Sequence, residues 1–374
     1  MNLNSQPVMV TRPLFPELSE YVSSLSDVWE SQWLSNGGKQ HQMLEDKLKG
    51  YINAANISLF NNGTIALMVA VQSLRLQGEV ITTPFTFPAT THVLAWNNIT
   101  PVFCDIDPVR LTIDPKKIER LITAKTTAIL GVHIYGVPCH VEEIQEIADR
   151  HGLKVIYDGA HAFTTIHNGK PISEYGDITM FSFHPTKLFH TGEGGALVFN
   201  DPNLRQRIEY LKNFGIKSEE EVLLPGINGK MGELQAAMGL NVLPLVKQEQ
   251  EKRAFIRKIY TAGFEQVKGV TVVKVPEKTT SSEQYYCIRI NESDFGESRQ
   301  SVFDRLRNNN IMARKYFYPL VSDYACYNSL PSANRSNLPL ASVISNEVLC
   351  LPLYSEIDSA LCQKIVNIIT KQQD

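Results

Sequence analysis

The 374-residue sequence has few cysteines, and they form no paired motif. The six are Cys104, Cys139, Cys287, Cys326, Cys350 and Cys362. Scattered cysteines without a C-x-x-C pair are typical of reduced thiols and argue against a disulfide framework or a zinc site. No stretch is apolar over the length that a bilayer span requires, and the first twenty residues are too polar for a secretory signal. We therefore expect a cytoplasmic protein that does not bind a membrane.

The sequence also lacks a strong charge of either sign. Its formal net charge is −3, and it has no basic stripe. There is therefore no electrostatic reason to expect a nucleic-acid partner. At 374 residues the chain is too long for one compact core, which predicts two domains.

Short apolar runs recur through the first two thirds of the chain. They lie at 57–60, 80–83, 101–106, 127–135, 153–158, 178–183 and 195–199. Helical spacing of apolar residues separates several of them, at 65–76, 115–122 and 140–151. This alternation predicts an α/β fold, with a large, doubly wound, mostly parallel seven-stranded sheet covered on both faces.

The pattern changes after about residue 245. A charged helix is predicted at 247–262, strands near 270–275 and 285–290, and a last helix at 358–370. We therefore predict a large α/β domain over 1–245 and a smaller C-terminal α/β domain over 246–374.

Ligands of open α/β sheets bind at the carboxyl ends of the strands, so the residues that follow each run are candidates for a site. After the run at 57–60 comes NNGT, in which Gly63 and Thr64 open a helix. A helix N-terminus can bind a phosphate. Alternatively, Thr64 or Asn62 simply caps the helix, and the motif alone favours that interpretation.

Asp158 ends another run and is followed by small residues. Its carboxylate could hold a cationic ring nitrogen or a metal, or only cap a turn. Nearby, His184, His190 and Glu193 invite a metal interpretation. Their segment is predicted to be a loop, so it does not provide two ligands spaced i, i+4 on a helix. We therefore predict no metal site.

The segment SFHPTKLFHTGEGGAL, at 182–197, places Lys187 among apolar runs. A lysine enclosed in this way pairs its charge, lowers its pKa or bonds covalently to a ligand. With a phosphate cradle that includes Ser182 and a carboxylate at the same sheet edge, it can bind an aldehyde cofactor with a basic ring nitrogen. These groups together predict pyridoxal 5′-phosphate.

The sequence resembles a known family over nearly its whole length. FSFHPTKLFHTGEGGALVFND resembles the signature of the DegT/DnrJ/EryC1/StrS sugar aminotransferases, which are fold-type I pyridoxal phosphate enzymes. Further matching motifs, in the family's order, are WLSNGG, NNGTIAL, TPFTFPAT, PVFCDID, YDGAHAF, GINGKMGELQAAMG and LCLPLYSEI. The resemblance covers nearly the whole chain and is specific because so many motifs occur in order.

The resemblance implies a role for individual residues. Lys187 matches the lysine that binds the cofactor, and Asp158 the partner of its ring nitrogen. Phe87 matches the aromatic residue stacked on the ring, and His161 a position near the phenolic oxygen. The positions that match phosphate-binding residues are Gly63, Thr64 and Ser182, with Asn228 reaching in from a neighbouring subunit. A homodimer with shared active sites is therefore implied.

The resemblance also implies the reaction, a transfer of the amino group from L-glutamate to a dTDP-linked keto-deoxysugar. The detailed motifs are most similar to enzymes that act on dTDP-4-keto-6-deoxy-D-glucose. Their product, dTDP-4-amino-4,6-dideoxy-D-glucose, serves surface polysaccharide (O-antigen) synthesis. A C3 aminotransferase acting on a 3-keto sugar, or a galacto-configured C4 product, remains open as an alternative.

Substrate contacts are less defined. Lys230 falls where many relatives have arginine, and His184 is a further candidate. The segment RKYFYPL, at 314–320, resembles a substrate-side loop in which Tyr316 and Tyr318 touch sugar or nucleotide. A packed aromatic strand explains the segment equally well.

The sequence also argues against two other classes of protein. One is a different fold-type I enzyme, such as a desulfurase or an amino-acid aminotransferase. A desulfurase would need a reactive cysteine on a mobile loop, and none of the scattered cysteines here has that setting. A non-catalytic binding or regulatory protein is disfavoured because both Lys187 and Asp158 are present and no DNA-binding module is evident.

Overall fold

The computed structural model describes residues 6–371, and a seven-stranded sheet forms the centre of that part of the chain. In chain order its strands are β1 (Asn56–Phe60), β2 (Glu79–Thr82), β3 (Thr100–Phe103), β4 (Thr126–Val132), β5 (Lys154–Asp158), β6 (Ile178–Ser182) and β7 (Gly195–Phe199). Their spatial order is β1-β7-β6-β5-β4-β2-β3. β7 runs antiparallel to both of its neighbours, and the other pairs are parallel. The predicted mostly parallel sheet is confirmed, with a strand in every predicted run.

Both faces of this sheet are buried, as strand β5 illustrates. Val155 and Tyr157 face one apolar cluster, and Ile156, between them, faces another. The helices that surround the sheet are Lys39–Tyr51, Gly63–Ser73, Pro88–Trp96, Val141–His151, Leu204–Lys212 and Glu233–Val242, preceded by Leu18–Ser24 and Ser26–Ser31. Because successive side chains of a strand point to opposite faces, this double burial favours apolar residues at consecutive positions.

The helix predicted at 115–122 is shorter in the structure. It covers Pro115–Ile118 and continues as a single 3₁₀ turn, Glu119–Leu121, before Ile122 becomes extended. Tightening of the last turn in this way is common at helix ends, because it satisfies carbonyl groups that an α-helix leaves free.

A second sheet lies in the C-terminal part of the chain. It is antiparallel, with β8 (Val270–Val272), β9 (Tyr286–Ile290) and β10 (Val348–Leu351) in the order β8-β9-β10. The helices of this part are Val246–Phe264, Glu292–Phe295, Arg299–Asn308, Pro339–Glu347 and Ser359–Thr370. The sequence predicted β8, β9 and the first and last of these helices, but not β10.

Short strand pairs connect the two parts of the chain. Val8–Met9 pairs with Ile311–Met312, and Thr279–Thr280 joins the hairpin formed by Ile166–His167 and Lys170–Pro171. One apolar cluster takes its fully buried members from residues 256–369 alone, whereas another joins both sheets. The division into domains 1–245 and 246–374 stays a prediction, and its outermost residues, 1–5 and 372–374, lie outside the described part.

Within residues 6–371 no helix combines the length and the apolar character needed to cross a bilayer.

A buried ion pair fixes the long helix Val246–Phe264. Arg253 is fully buried and donates from Nε to Glu249 Oε1 at 2.6 Å, and the same oxygen accepts from the backbone N–H of Ser355 at 3.2 Å. Removing one partner leaves a buried charge without its counterion. We expect Arg253→Met to lower the free energy of unfolding by about 3–5 kcal/mol, measured by urea denaturation.

The control for this prediction is the exposed pair Lys217–Glu221, in which Lys217→Met should change stability little. The double variant Arg253→Met/Glu249→Leu should recover much of the loss. A double variant as unstable as Arg253→Met alone would show that packing, and not the unpaired carboxylate, causes the effect.

Candidate active site

A cavity of about 880 Å³ opens at the carboxyl edge of the central sheet. The residues that line it from the first sheet include Gly63, Thr64, Thr86, Phe87, Asp158, His161, Ser182, His184, Lys187 and Glu193. Gln235, Tyr285, Arg314, Tyr316 and Phe317 close it from later parts of the chain. This edge is where open α/β sheets bind ligands.

Asp158 ends β5 with its side chain buried against the cavity. Its Oδ1 accepts from the backbone N–H of Ala160 at 3.0 Å, and its Oδ2 accepts from Thr90 Oγ1 at 2.8 Å. Burial raises the pKa of this carboxyl, while both donors and the charge of Lys187 act against the rise. A carboxylate held by two donors in this way is suited to a cationic ligand group.

Lys187 lies in the loop after β6 and is partly buried, with its remaining exposure at the cavity that it lines. Among residues 6–371 its amine has no hydrogen bond or ion pair, and it lies 5.9 Å from the centre of the Tyr285 ring. Burial lowers the pKa of Lys187 to about 8, whereas the charge of Asp158 raises it. An amine with a pKa lowered in this way is neutral, and so able to act as a nucleophile or a base, in a much larger fraction near neutral pH than an ordinary lysine.

His161 faces the same cavity from the turn after β5. Its Nδ1 accepts from the backbone N–H of Tyr135 at 3.2 Å, which assigns the ring proton to Nε2. The ring stacks on Phe317 and meets the edge of Tyr285. Burial, and then the charge of Lys187, lowers the pKa of His161 well below its ordinary value, so this histidine is a neutral donor.

A helix N-terminus closes one end of the cavity. Helix Gly63–Ser73 is capped by Asn62, whose side chain accepts from the N–H of Ile65 at 2.8 Å. The cap interpretation of NNGT is therefore correct for Asn62. It leaves the N–H groups of Gly63 and Thr64 without an acceptor in the described chain, which suits a phosphate.

Gly63 permits this helix to approach β6 closely. A Cβ atom at Gly63 would lie 3.1 Å from the Cβ of Ser182 and 3.1 Å from the sulfur of Met180. Only glycine fits without movement of its neighbours, so the helix N-terminus and the Ser182 hydroxyl share one corner of the cavity. Phe87, 58% exposed, lines the cavity from the turn before helix Pro88–Trp96.

Three predicted residues lie outside this cavity. Asn228 is exposed, and its carbonyl accepts from the side chain of Asn61. Lys230 donates to Asn213 Oδ1 at 2.6 Å. Tyr318 lines a different cavity, where its ring lies 5.0 Å from the Arg299 guanidinium. The structure thus separates Tyr318 from Tyr316, which does line the first cavity.

The two histidines near Glu193 point in different directions. His184 lies 3.8 Å from Glu193 at the cavity, whereas His190 is buried and donates from Nε2 to the carbonyl of Leu14. No group of three or more potential metal ligands is found among residues 6–371.

Sequence reasoning missed several side chains of the cavity region, among them Thr90, Gln235, Tyr285, Arg314 and Phe317. Thr90, Gln235, Arg314 and Phe317 lie inside motifs that were recognised, so the signal was present but unassigned. Tyr285 lies outside those motifs, and only the folded chain brings it to this edge.

The cavity therefore has the groups that a phosphorylated pyridine aldehyde requires. The free N–H groups at Gly63 and Thr64 suit the phosphate, the buried Asp158 suits the ring nitrogen, and the unpaired Lys187 amine suits the aldehyde.

This fold and this set of groups define a class of enzyme. The model of the DegT/DnrJ/EryC1/StrS aminotransferase family matches residues 17–370, and the chain belongs to this family. The predictions of a fold-type I transferase fold and of a pyridoxal phosphate-dependent transaminase are confirmed.

Individual relatives are similar over almost their whole length. The dTDP-4-amino-4,6-dideoxy-D-glucose transaminase of Escherichia coli is 44% identical over 370 residues, which cover 98% of this chain and 99% of that protein. The protein of the same name from Shigella dysenteriae is 42% identical, with 97% and 98% covered. The crystal structure of DesI in the presence of its TDP-sugar product has a TM-score of 0.93 at 32% identity, with 98% and 93% covered.

The lowered pKa of Lys187 leads to a prediction for the cofactor-free protein. Its acetylation by a short pulse of acetic anhydride should rise with pH around a midpoint near 8. Asp158→Asn removes the charge that raises this pKa, so the midpoint should move to lower pH. Peptide mass spectrometry measures the label, and the exposed Lys49 serves as an internal control whose profile should not respond. A midpoint that Asp158→Asn leaves unmoved would contradict the electrostatic coupling.

Proposed function

We propose that this protein transfers the amino group of L-glutamate to C4 of dTDP-4-keto-6-deoxy-D-glucose. The product is dTDP-4-amino-4,6-dideoxy-D-glucose, for surface polysaccharide (O-antigen) synthesis, and the enzyme acts as a cytoplasmic homodimer. The observation that carries this proposal is the unpaired Lys187 amine in one cavity with the buried Asp158 carboxylate. The names of the Escherichia coli and Shigella dysenteriae relatives support the choice of sugar.

Pyridoxal 5′-phosphate fits the groups of the cavity. Gly63, Thr64 and Ser182 would hold its phosphate, Phe87 would lie against its ring, and Asp158 would face its ring nitrogen. When bound, the cofactor supplies an electron sink that makes the α-proton of an amino acid removable.

Lys187 is the base that this chemistry requires. With a pKa lowered to about 8, a substantial fraction of its amine is neutral near physiological pH. Nζ could therefore remove the proton from the α-carbon of glutamate and pass it to the carbon that had carried the cofactor's aldehyde. In the second half-reaction it would take a proton from that same carbon and deliver it to C4 of the sugar. Asp158 remains a negative charge at the end of β5 throughout, held by Ala160 and Thr90.

The cavity also holds groups suited to an anionic sugar nucleotide. Arg314 is exposed, lines the cavity and has no side-chain partner within 6–371, so its guanidinium is available for a diphosphate. His184 and Tyr316 line the same space. Tyr285 and Phe317 are buried behind them and limit the access of water.

Product analysis tests the proposal. The protein is mixed with pyridoxal phosphate, L-glutamate and dTDP-4-keto-6-deoxy-D-glucose, and proton NMR is recorded on any new nucleotide sugar. We expect an amine-bearing C4 whose proton has large couplings to both ring neighbours, which defines the gluco configuration. Lys187→Ala should give no detectable product, and Lys49→Ala is the matched control.

Other outcomes would change the proposal in different ways. One small coupling would identify the galacto epimer. If glutamate bleaches the visible band of the cofactor but no new sugar appears, the protein is still a transaminase. The substrate to test next is then a 3-keto sugar nucleotide. Product formation by Lys187→Ala at the wild-type rate would overturn the mechanism.

The proposed shared active site has its own test. Asn228 is exposed and absent from the cavity of its own chain, as expected if it serves a second copy. The inactive Lys187→Ala protein and an Asn228→Ala protein of reduced activity are unfolded together and refolded as a mixture. If Asn228 acts across the dimer, each mixed dimer contains one intact site, and activity should rise to about a quarter of wild type. A mixture no more active than the average of its components would place Asn228 and Lys187 in one subunit's site.

A further inference from the structure

The carboxylate of Asp158 is bonded to a hydroxyl from another element of the fold. Thr90 lies in helix Pro88–Trp96 and is fully buried. Its Oγ1 is 2.8 Å from Asp158 Oδ2, although 68 residues separate the two in sequence. No other side chain among residues 6–371 donates a hydrogen bond to this carboxylate.

A second hydroxyl lies behind the first. Thr86 Oγ1 is 2.8 Å from Thr90 Oγ1, and Thr86 is also buried. A hydroxyl has a single proton, and Thr90 gives its proton to the ionised Asp158. The Thr90 oxygen must then accept from Thr86. The two hydroxyls therefore form a directed chain, Thr86 to Thr90 to Asp158, that favours the negative carboxylate.

We infer that Thr90, supported by Thr86, is a positioning residue that keeps Asp158 ionised and fixes the direction of its carboxylate toward the cavity. This inference rests on the proposed function, in which Asp158 faces the ring nitrogen of the cofactor. The Ala160 N–H fixes Oδ1 and Thr90 fixes Oδ2, so the carboxylate cannot rotate without breaking one of these bonds.

The neighbouring charged groups do not hold the Asp158 carboxylate in place of Thr90. Lys187 acts on Asp158 electrostatically from the loop after β6, and its amine lies beyond ion-pair distance. Among the other titratable groups that line this cavity, burial lowers the pKa of His161 and His184 and raises that of Tyr285 and Tyr316. Glu193 and Arg314 line the cavity as well, and neither donates a hydrogen bond to Asp158. Burial raises the pKa of Asp158, so loss of the Thr90 donor should raise that pKa further.

The helix supplies a matched control. Thr91, the next residue, is equally buried, and its hydroxyl has no hydrogen-bond partner in the described structure. Thr90→Val and Thr91→Val make the same chemical change one position apart. Only the first removes a donor from Asp158, whereas Thr90→Ser retains the hydroxyl.

The experiment measures three quantities for the wild type and the three variants. They are kcat and KM for glutamate, the pH profile of kcat/KM, and the Kd for pyridoxal phosphate by equilibrium dialysis. For Thr90→Val we expect kcat to fall about 10- to 100-fold with little change in KM. We also expect weaker cofactor binding and an acid limb of the profile moved to higher pH. Thr91→Val should match the wild type, and Thr90→Ser should lie within about threefold of it.

Different results would overturn different statements. A Thr90→Val protein with wild-type kcat, Kd and pH profile would overturn the positioning role. An equal loss of kcat in Thr90→Val, Thr90→Ser and Thr91→Val would also overturn the positioning role, since such a loss would reflect packing alone. If Thr90→Val does not fold, Thr86→Val is measured in its place. A Thr86→Val protein whose acid limb and Kd for pyridoxal phosphate equal those of the wild type would contradict the proposed hydrogen-bonded chain from Thr86 through Thr90 to Asp158. A wild-type protein without glutamate-dependent turnover would instead refute the proposed function.

Discussion

The cavity is arranged around two opposite charges that lie near each other without forming an ion pair. Asp158 and Lys187 shift each other's pKa, yet no contact between their charged atoms falls within 4.0 Å. A direct pair would satisfy both groups and leave neither free for a ligand. Keeping two buried charges apart costs desolvation energy. For Asp158, the hydrogen bonds from Ala160 and Thr90 offset that cost. The amine of Lys187 has no such support, so its pKa falls.

The sheet topology explains why these groups meet. Parallel strands β4, β5 and β6 end at the same edge, which brings Asp158 and the loop carrying Lys187 side by side. Antiparallel β7 then returns beside β6 and pairs with β1. A Cβ atom at Gly195, the first residue of β7, would lie 2.7 Å from the backbone nitrogen of Gly63. Two glycines thus allow the helix N-terminus at Gly63 to pack against β6 and β7, beside the loop that carries the lysine.

Local patterns were sufficient to predict most of this arrangement. The seven apolar runs became seven strands, and the residues after them, among them Gly63, Asp158 and Lys187, came together because strand ends are fixed by the sheet. The partners of these residues were not predictable in the same way. Thr90 looks like any small residue of an apolar helix, and Tyr285 reaches the cavity only through packing between the two sheets. Tyr316 and Tyr318 are two residues apart but line different cavities, a division that no local pattern contains.

The neutral state of His161 follows first from its burial and then from the nearby charge of Lys187. A cationic imidazole here would stand beside Lys187 in a buried site, which the lowered pKa of His161 reflects. Its Nδ1 is already occupied by the N–H of Tyr135, so only the Nε2 proton remains to be donated. Such a donor stabilises an oxygen of a ligand without adding a net charge. The positive charge of the cavity is therefore left to Lys187 and Arg314, and the negative charge of Asp158 remains available for a ring nitrogen.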